Sequence, residues 1–402
     1  MTFYRHIRIY IFVLLLAYVS IAALITMNFS VLYFTGELDG LDKIVKAQQQ
    51  TPSLYNGLSE GMAAYKYEGY RQRRPEVVAI GTSRAMQIRD YFFTKPFYNL
   101  GGLVQGQSQA FALIDQLIIK HPPKMIIFAV DFWTFCSQKK EFLPFIRPTG
   151  TFHDGQGNPS DPLLLIRLLA EGSLSSEDLK QIAVRLFNPP KRALPRTGIS
   201  ALLRDSGFGP DGSMYSLLST KSTDTSSDIE ARSQAEINAL NRGKGRFPPN
   251  CTVSHEGLSH LAMLGTELAN QGINLIVIAP PITSALLKAV KKSPAANTYM
   301  SQWRQRLKEA WPQTYDFTDP RSIGSSDCEF YDGIHGGEVA YARIFRALAK
   351  SGPKRLKQVL NVKNLDQVIA IGKNKITVAL RFPETVRAIE LGGFKTCNPN
   401  QY

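Results

Sequence analysis

The chain has 402 residues, enough for a full α/β core of one or two domains with appendages. Its 47 lysine and arginine residues outnumber 33 aspartate and glutamate residues, which gives a net charge of +14. The basic residues are scattered, and no basic helix or zinc framework accompanies them. We therefore expect no nucleic-acid partner, whereas an anionic glycan or a membrane surface suits this charge.

The N-terminal segment predicts a membrane anchor. Residues 9–34 carry no charged side chain, and about 20 apolar residues suffice to cross a bilayer. Arg5 and Arg8 precede the segment and acidic residues from Glu37 onward follow it, so the N-terminus is expected in the cytoplasm. Residues 1–35 thus predict a single-pass anchor in a bacterial inner membrane, with the main domain periplasmic or extracellular. A cleaved signal peptide is the alternative.

The next feature in chain order is a serine at a predicted strand end. Residues 36–75 are mixed and polar and predict a stalk, and a first strand over 77–80 then ends at Gly81. Ser83 follows, before a helix-like pattern. At such a turn the hydroxyl is lifted clear of the backbone, and the N–H groups of Ser83 and Arg84 point at an approaching oxygen. Alternatively, Ser83 only caps the following helix.

A strand–helix–strand order follows this turn. A strand over 97–100 leads into a glycine-rich loop over 101–106, and a continuously apolar strand over 125–130 ends at Asp131. Helical spacing between them predicts one buried stripe, formed by Ala110, Leu113, Ile114, Leu117 and Ile118. This order predicts an α/β fold with a doubly wound, mostly parallel sheet.

The α/β pattern is interrupted and then returns. The segment over about 144–250 is rich in Pro, Gly, Ser and Asp and predicts an irregular insertion over the sheet edge. A strand is predicted over 274–279, with helices over 254–271, 298–310 and 338–350. The main domain is therefore expected to span 76–353.

The C-terminal extension, residues 354–402, has a different pattern. Residues 367–372 and 375–382 flank a Lys-Asn turn, which predicts a β-hairpin. No function is predicted for this extension.

Four cysteines in a chain expected outside the cytoplasm can form up to two disulfides. They are Cys136, Cys251, Cys328 and Cys397. Three pairings are possible, and free thiols are the alternative.

Candidate catalytic residues follow the predicted strands at their carboxyl ends, where ligands collect in an open parallel sheet. Asp332 and His335 lie three residues apart just before a helix. We expect Ser83 to attack a carbonyl once His335 accepts its proton, while Asp332 orients the imidazole.

Backbone donors are expected around Ser83. Its own N–H, with donors near Gly106, can hold an oxyanion, and one such donor is worth roughly 3–4 kcal/mol of barrier. Gly102 of the same loop is a further substrate-binding candidate. Arg84 can bind an anionic substrate, or form a surface salt bridge instead.

Two of these segments resemble blocks of the SGNH or GDSL-like hydrolase superfamily. Gly81-Thr82-Ser83 is similar to the first block, in which an aspartate commonly stands where this chain has threonine. Asp332-x-x-His335 is similar to the last block in spacing and in order along the chain. The resemblance covers about 76–136 and 254–350 and implies a serine-dependent hydrolase or transferase.

The two remaining blocks of that superfamily are matched less closely. Gly106 is similar to the second-block glycine, with Gly101 or Gly102 as alternatives. The third block offers Gly-x-Asn-Asp, whose asparagine donates to the oxyanion, whereas this chain has Ala-Val-Asp131. An ionised aspartate cannot donate a hydrogen bond. Asp131 is therefore expected to orient a basic or hydroxyl group, or to leave a weak site.

The arrangement of the whole chain resembles the D-alanyl transfer proteins of teichoic acid synthesis, which work beside a polytopic membrane-bound O-acyltransferase. This implies an extracytoplasmic serine acyltransferase or esterase acting on acetyl-like O-acyl groups of a cell-surface polysaccharide, with no metal or cofactor. A non-catalytic accessory subunit of such a complex is the alternative, and carbohydrate binding alone is a third.

Overall fold

Mixed α/β structure fills the part of the chain that the computed structural model describes, residues 2–58, 61–138, 163–187, 195–204, 206–216, 226–248 and 250–382. The strands are β1 Leu54–Tyr55, β2 Val77–Gly81, β3 Phe97–Gly101, β4 Met125–Ala129, β5 Arg196–Thr197, β6 Ser206–Phe208, β7 Met214–Ser216, β8 Asn274–Ala279 and β9 Thr314–Asp316. The helices are α1 Thr2–Thr35, α2 Leu41–Gln50, α3 Met62–Arg73, α4 Gln107–Lys120, α5 Leu164–Ala170, α6 Ser176–Phe187, α7 Ile199–Arg204, α8 Ser226–Asn241, α9 His255–Asn270, α10 Ser284–Lys292, α11 Pro294–Ala310, α12 Glu338–Ser351, α13 Lys354–Lys357 and α14 Val362–Ile371.

Five parallel strands form the central sheet in the order β3-β2-β4-β8-β9. The register places Gly81 beside Gly101 on one side and beside Ala129 on the other. The carboxyl ends of β2, β3 and β4 are therefore level, and the residues that follow them meet at one edge of the sheet.

Both faces of the sheet are covered, which explains why its strands read as continuous apolar runs. Val78 and Ile80 of β2 pack in a core cluster with α3, α4, α9 and α11. The alternating residues Val77 and Ala79 pack in a second cluster with α12 and α14. The predicted apolar stripe of α4 is confirmed, since four of its five residues are buried and Ile118 is half-buried.

The structure confirms the predicted core strands and helices to within a few residues at their ends. The turn after β2 is an exception in length. Instead of a longer helix, a single 3₁₀ turn spans Ser83–Gln87.

The predicted stalk over 36–75 is wrong. This segment contributes α2, β1 and α3 to the folded domain, and Tyr65, Lys66 and Tyr70 of α3 are fully buried. Its polar composition was misleading because tyrosine and lysine carry large apolar parts that can be buried when the polar tip finds an acceptor. The hydroxyl of Tyr65 donates to Gln48 Oε1, for example.

The predicted insertion contains regular elements in its described parts, α5 to α8 and β5 to β7. Its three strands form a second sheet with β1, in the order β5-β1-β6-β7. Because β1 precedes the central sheet in sequence, this second sheet connects the insertion to the N-terminal part of the domain. A disulfide between Cys136 and Cys251 links the two ends of the insertion. Cys328 is also disulfide-bonded, and Cys397 lies outside the described residues.

Helix α1 is apolar enough over His6–Thr35 to cross a membrane. Most of its large apolar side chains are exposed, from Ile9 to Phe34. Leu32, however, is fully buried against residues of the insertion. The structure is therefore consistent with a single-pass anchor whose last turns also pack on the folded domain.

The predicted C-terminal hairpin is wrong where the structure describes it. Residues 367–371 belong to α14, whose Leu365 and Val368 are buried at helical spacing. Residues 375–382 form no strand; instead Glu338 accepts hydrogen bonds from Thr377, Val378 and Ala379. This buried carboxylate accepts the N–H groups of Val378 and Ala379, which a second strand would otherwise satisfy. Residues 383–402 lie outside the described part of the chain.

Candidate active site

Ser83 stands exposed on the tight turn that follows β2. Gly81 has a φ of +147°, and a Cβ there would meet the carbonyl oxygen of Ala129 at 2.6 Å. Only glycine therefore allows the chain to pass this close to β4 as it leaves the sheet. The turn is capped by Thr82, whose hydroxyl accepts the N–H of Arg84. The alternative that Ser83 only caps a helix is therefore not what the structure shows, and its hydroxyl is left for another partner.

The partner of that hydroxyl is His335. Ser83 Oγ lies 2.8 Å from His335 Nε2, and His335 Nδ1 lies 2.7 Å from Asp332 Oδ2. With a proton on Nδ1, the imidazole donates to Asp332 and accepts from Ser83. Residues 252 positions apart in sequence thus form one continuous chain of hydrogen bonds.

Asp332 is held in place by its own loop. Its Oδ1 accepts the backbone N–H groups of Ile334 and His335, both at 2.8 Å. Burial favours the neutral form of the carboxyl, but the hydrogen bond and charge of His335 and the two backbone donors lower the pKa of Asp332 well below its usual range. Asp332 is therefore ionised near neutral pH and can stabilise a protonated imidazole.

Two backbone hydrogen bonds hold the loop that carries His335. The N–H of Tyr331 donates to the carbonyl of His335 at 2.8 Å, which closes the loop. The N–H of Thr283, which caps α10, donates to the carbonyl of Gly333 at 3.0 Å. The imidazole is thus positioned by backbone hydrogen bonds as well as by Asp332.

Arg84 does not face the solvent beside Ser83. Its side chain is 2% exposed, and Nη1 donates to Asp131 Oδ1 at 2.5 Å. The guanidinium also donates to the carbonyl oxygens of Ile334, Pro280 and Pro281. Neither predicted role, binding an anionic substrate or forming a surface salt bridge, matches this position.

Asp131 is the centre of the same buried cluster. Its second oxygen accepts the hydroxyl of Thr82 at 2.6 Å. The sequence predicts that Asp131 orients a basic or a hydroxyl group, and in the structure it contacts one of each. Sequence reasoning missed the inward position of Arg84, although an aspartate just after β4 and an arginine directly after the serine were the available signal.

The two glycines of the predicted oxyanion loop differ in position. The N–H of Gly102 donates to the carbonyl oxygens of Gly81 and Thr82, both at 2.9 Å, so Gly102 closes the turn and its N–H is not available to a substrate. Gly106 is the half-buried N-cap residue of α4. Of the two, Gly106 is the one whose N–H lies at a helix start, where intrahelical acceptors are absent.

A cavity of about 560 Å³ lies between α11, the end of the insertion and Phe132, and it is not lined by Ser83, Asp332 or His335. Its lining includes Phe132, next to Asp131 in sequence, together with Phe247 and Arg246. The guanidinium of Arg246 lies 5.1 Å from the ring centre of buried Trp133. This volume lies in the range of small-molecule sites.

Comparisons of the chain with protein-family models, curated proteins and solved structures found no match. The chemistry assigned to the site therefore depends on its own geometry. A hydroxyl, an imidazole and a carboxylate in hydrogen-bonded sequence can move one proton from the alcohol and return it to a leaving group.

Proposed function

We propose that this chain is a membrane-anchored, extracytoplasmic serine acyltransferase or esterase of the SGNH type. Its substrates would be acetyl-like O-acyl esters of a cell-surface polysaccharide. One observation carries the proposal: the hydroxyl of Ser83 lies 2.8 Å from His335 Nε2, and Asp332 holds the opposite ring nitrogen.

The reaction follows from these contacts. Ser83 Oγ attacks the ester carbonyl carbon while its proton passes to His335 Nε2, and Asp332 stabilises the imidazolium. The tetrahedral intermediate collapses as the ester C–O bond breaks, and His335 returns the proton to the leaving alkoxide. A polymer hydroxyl or water then loses its proton to His335 and attacks the acyl-serine, which restores Ser83. A polymer hydroxyl gives transfer and water gives hydrolysis.

The developing oxyanion requires hydrogen-bond donors. The N–H of Ser83 opens the 3₁₀ turn, where an intrahelical acceptor is absent, and Gly106 is the second candidate. Asp131 cannot supply the third donor, because its two oxygens accept from Arg84 and Thr82. We therefore expect slower turnover than in an enzyme with a complete oxyanion hole.

The sheet topology supports the SGNH assignment. Counted along the chain within the central sheet, the strand order is 2-1-3-4-5, the order of flavodoxin-like doubly wound sheets. Ser83 follows the first of these strands, at the carboxyl edge where such folds bind ligands. The fold alone does not specify the chemistry, which the site residues must supply.

Location and partners follow from the anchor and the charge. A cytoplasmic N-terminus would place the domain outside a bacterial inner membrane, where the net charge of +14 suits an anionic polysaccharide. The acyl donor would be delivered by a polytopic membrane-bound O-acyltransferase.

The test uses the full chain, because the end of α1 packs in the folded domain. Purified protein in detergent should release acetate from an activated acetyl ester, and Ser83→Ala should lower kcat by about 10⁶-fold. Ser322→Ala is the matched control, since Ser322 is exposed and bonds only locally to Asp319. Equal rates for wild type and Ser83→Ala would exclude the mechanism.

A second candidate is an accessory subunit that has the fold but performs no chemistry. The occupied oxygens of Asp131, which remove the third oxyanion donor, favour it. It predicts that Ser83→Ala leaves polymer acylation in cells intact, whereas removing the anchor abolishes it.

A further inference from the structure

Helix α6 presents two large apolar side chains to the outside. Val184 is 52% exposed and Phe187 is 75% exposed, and they lie three residues apart and therefore side by side on the helix. Ala183 is exposed next to them. The opposite face packs inward through Ile182 and Leu186. Among the residues that the structure describes, the inner face of α6 is packed and its outer apolar face is exposed.

The inner face of α6 packs on α7, and α7 and α5 contact the end of α1. Leu32 of α1 is fully buried in a cluster with Leu168 of α5 and Ile182 of α6. One turn earlier, Asn28 Oδ1 accepts the N–H of Leu165 at the start of α5. The pair α5–α6 is therefore attached to α1 at the level of Asn28 and Leu32.

That level corresponds to the far boundary of a bilayer. The uncharged stretch of α1 starts at Ile9, directly after Arg8. With a rise of 1.5 Å per residue, Asn28 lies about 28 Å further along the helix axis. The hydrocarbon core of a bilayer is about 30 Å thick. Helices α5 and α6 therefore join α1 where it leaves the hydrocarbon.

We propose that α6 lies on the outer surface of the lipid bilayer, with Val184 and Phe187 inserted at the boundary between headgroups and acyl chains. Leu163, two residues before the Leu165 that bonds to α1, is a further exposed apolar side chain near this level. Lys180 is exposed on the same side of α6, where it forms a surface ion pair with Glu177 at 3.6 Å, and it can reach anionic headgroups by leaving that pair.

Lipid is the occupant that the geometry favours. Helix α6 shares a buried cluster with Leu32 near the outer end of α1, so a bilayer around α1 lies close to α6 without any further component. A second copy or a neighbouring membrane protein would need its own matching surface. The contact goes beyond the proposed chemistry, because it holds the domain against the membrane whether or not Ser83 reacts.

The experiment introduces tryptophan on α6 of the full chain in vesicles of phosphatidylcholine and phosphatidylglycerol. Part of the phosphatidylcholine carries bromine on its acyl chains, which quenches nearby tryptophan. The variants are Phe187→Trp, Val184→Trp and the control Gln181→Trp, an exposed position about 120° around the helix from Phe187. The wild type, with three tryptophans, supplies the background.

We expect the fractional loss of fluorescence in brominated vesicles to decrease from Phe187→Trp to Val184→Trp to Gln181→Trp. Equal quenching at Phe187→Trp and Gln181→Trp, above the background, would overturn the proposal. Blue-shifted but unquenched emission at Phe187→Trp would mean that protein covers this face and would overturn it as well. Circular dichroism checks folding. If Phe187→Trp does not fold, Val184→Trp is compared with the wild-type background, and quenching no greater than that background overturns the proposal.

Discussion

The guanidinium of Arg84 donates to the carboxylate of Asp131 across 2.5 Å, with the two side chains 2% and 1% exposed. The same guanidinium donates to the carbonyl of Ile334, next to His335. One buried ion pair therefore joins the serine turn, the end of β4 and the histidine loop. It holds in register the three segments on which the proposed proton transfer depends.

Asp131→Asn keeps the shape of this side chain and removes its charge, and we expect it to destabilise the protein. Arg84 would remain buried without its carboxylate, which typically costs about 3–5 kcal/mol. Denaturant unfolding measures the loss. Asp366→Asn is the control, because the pair of Asp366 with Arg346 is partly exposed and such pairs contribute about 0–1 kcal/mol. A faster esterase with unchanged stability in Asp131→Asn would contradict the positioning role.

Asp332→Asn should lower kcat of the acetyl esterase by about 10³–10⁴-fold, because an amide no longer selects the imidazole tautomer that accepts the serine proton. Steady-state kinetics measure the change. Asp319→Asn, on the surface beside Arg321, should leave the rate unchanged. A rate within a few-fold of wild type in Asp332→Asn would remove Asp332 from the mechanism.

Acid should weaken the folded state in part through Asp332. Since its pKa is lowered on folding, the stability that it contributes is present above the unfolded pKa and is lost as the pH falls below about 4. Unfolding of wild type and Asp332→Asn between pH 7 and pH 3 tests this. The advantage of the wild type should shrink toward pH 3, and a difference that does not depend on pH would argue against an ionised Asp332.

Lys66 predicts a second pH dependence of stability, at neutral to alkaline pH. Burial lowers its pKa to about 7, while its ammonium donates to the carbonyl of Gly101 at 2.5 Å. Between pH 7 and about 10.4 the unfolded chain binds more protons, so stability should rise with pH by at most about 1.4 kcal/mol per unit. Lys66→Met should lack this rise in denaturant titrations at pH 7, 8 and 9. Lys288→Met, at an exposed position, should keep it.

The disulfide Cys136–Cys251 should stabilise the domain by closing a long loop, since the two cysteines are 115 residues apart. Replacing both cysteines by serine should lower the free energy of unfolding by about 2–5 kcal/mol. Denaturant unfolding with and without reductant measures the effect. If the reduced wild type and the double variant both match the oxidised protein, the loop closure contributes nothing.

Local pattern was sufficient for the central elements. Strands β2, β4 and β8 are short apolar runs that end in Gly, Asp or Pro, and α4 has a clear helical stripe, so each could be predicted from nearby residues. The predictions failed where burial came from distant partners. Tyr65 and Lys66 look like surface residues until their acceptors, Gln48 and Gly101, are brought to them. Residues 377–379 likewise donate hydrogen bonds to the carboxylate of Glu338, where the predicted hairpin would have paired them with a second strand.

The sequence by itself determined the apolar span of α1, the serine after the first core strand and the Asp-x-x-His spacing, because each depends on residues adjacent in the chain. Only the tertiary structure decided that Ser83 and His335 lie within hydrogen-bond distance and that Arg84 turns inward to Asp131. The physical reason is that a parallel sheet aligns the ends of strands that are far apart in sequence. Which groups meet at that edge depends on the order and register of the strands, and these are set by packing across the whole domain.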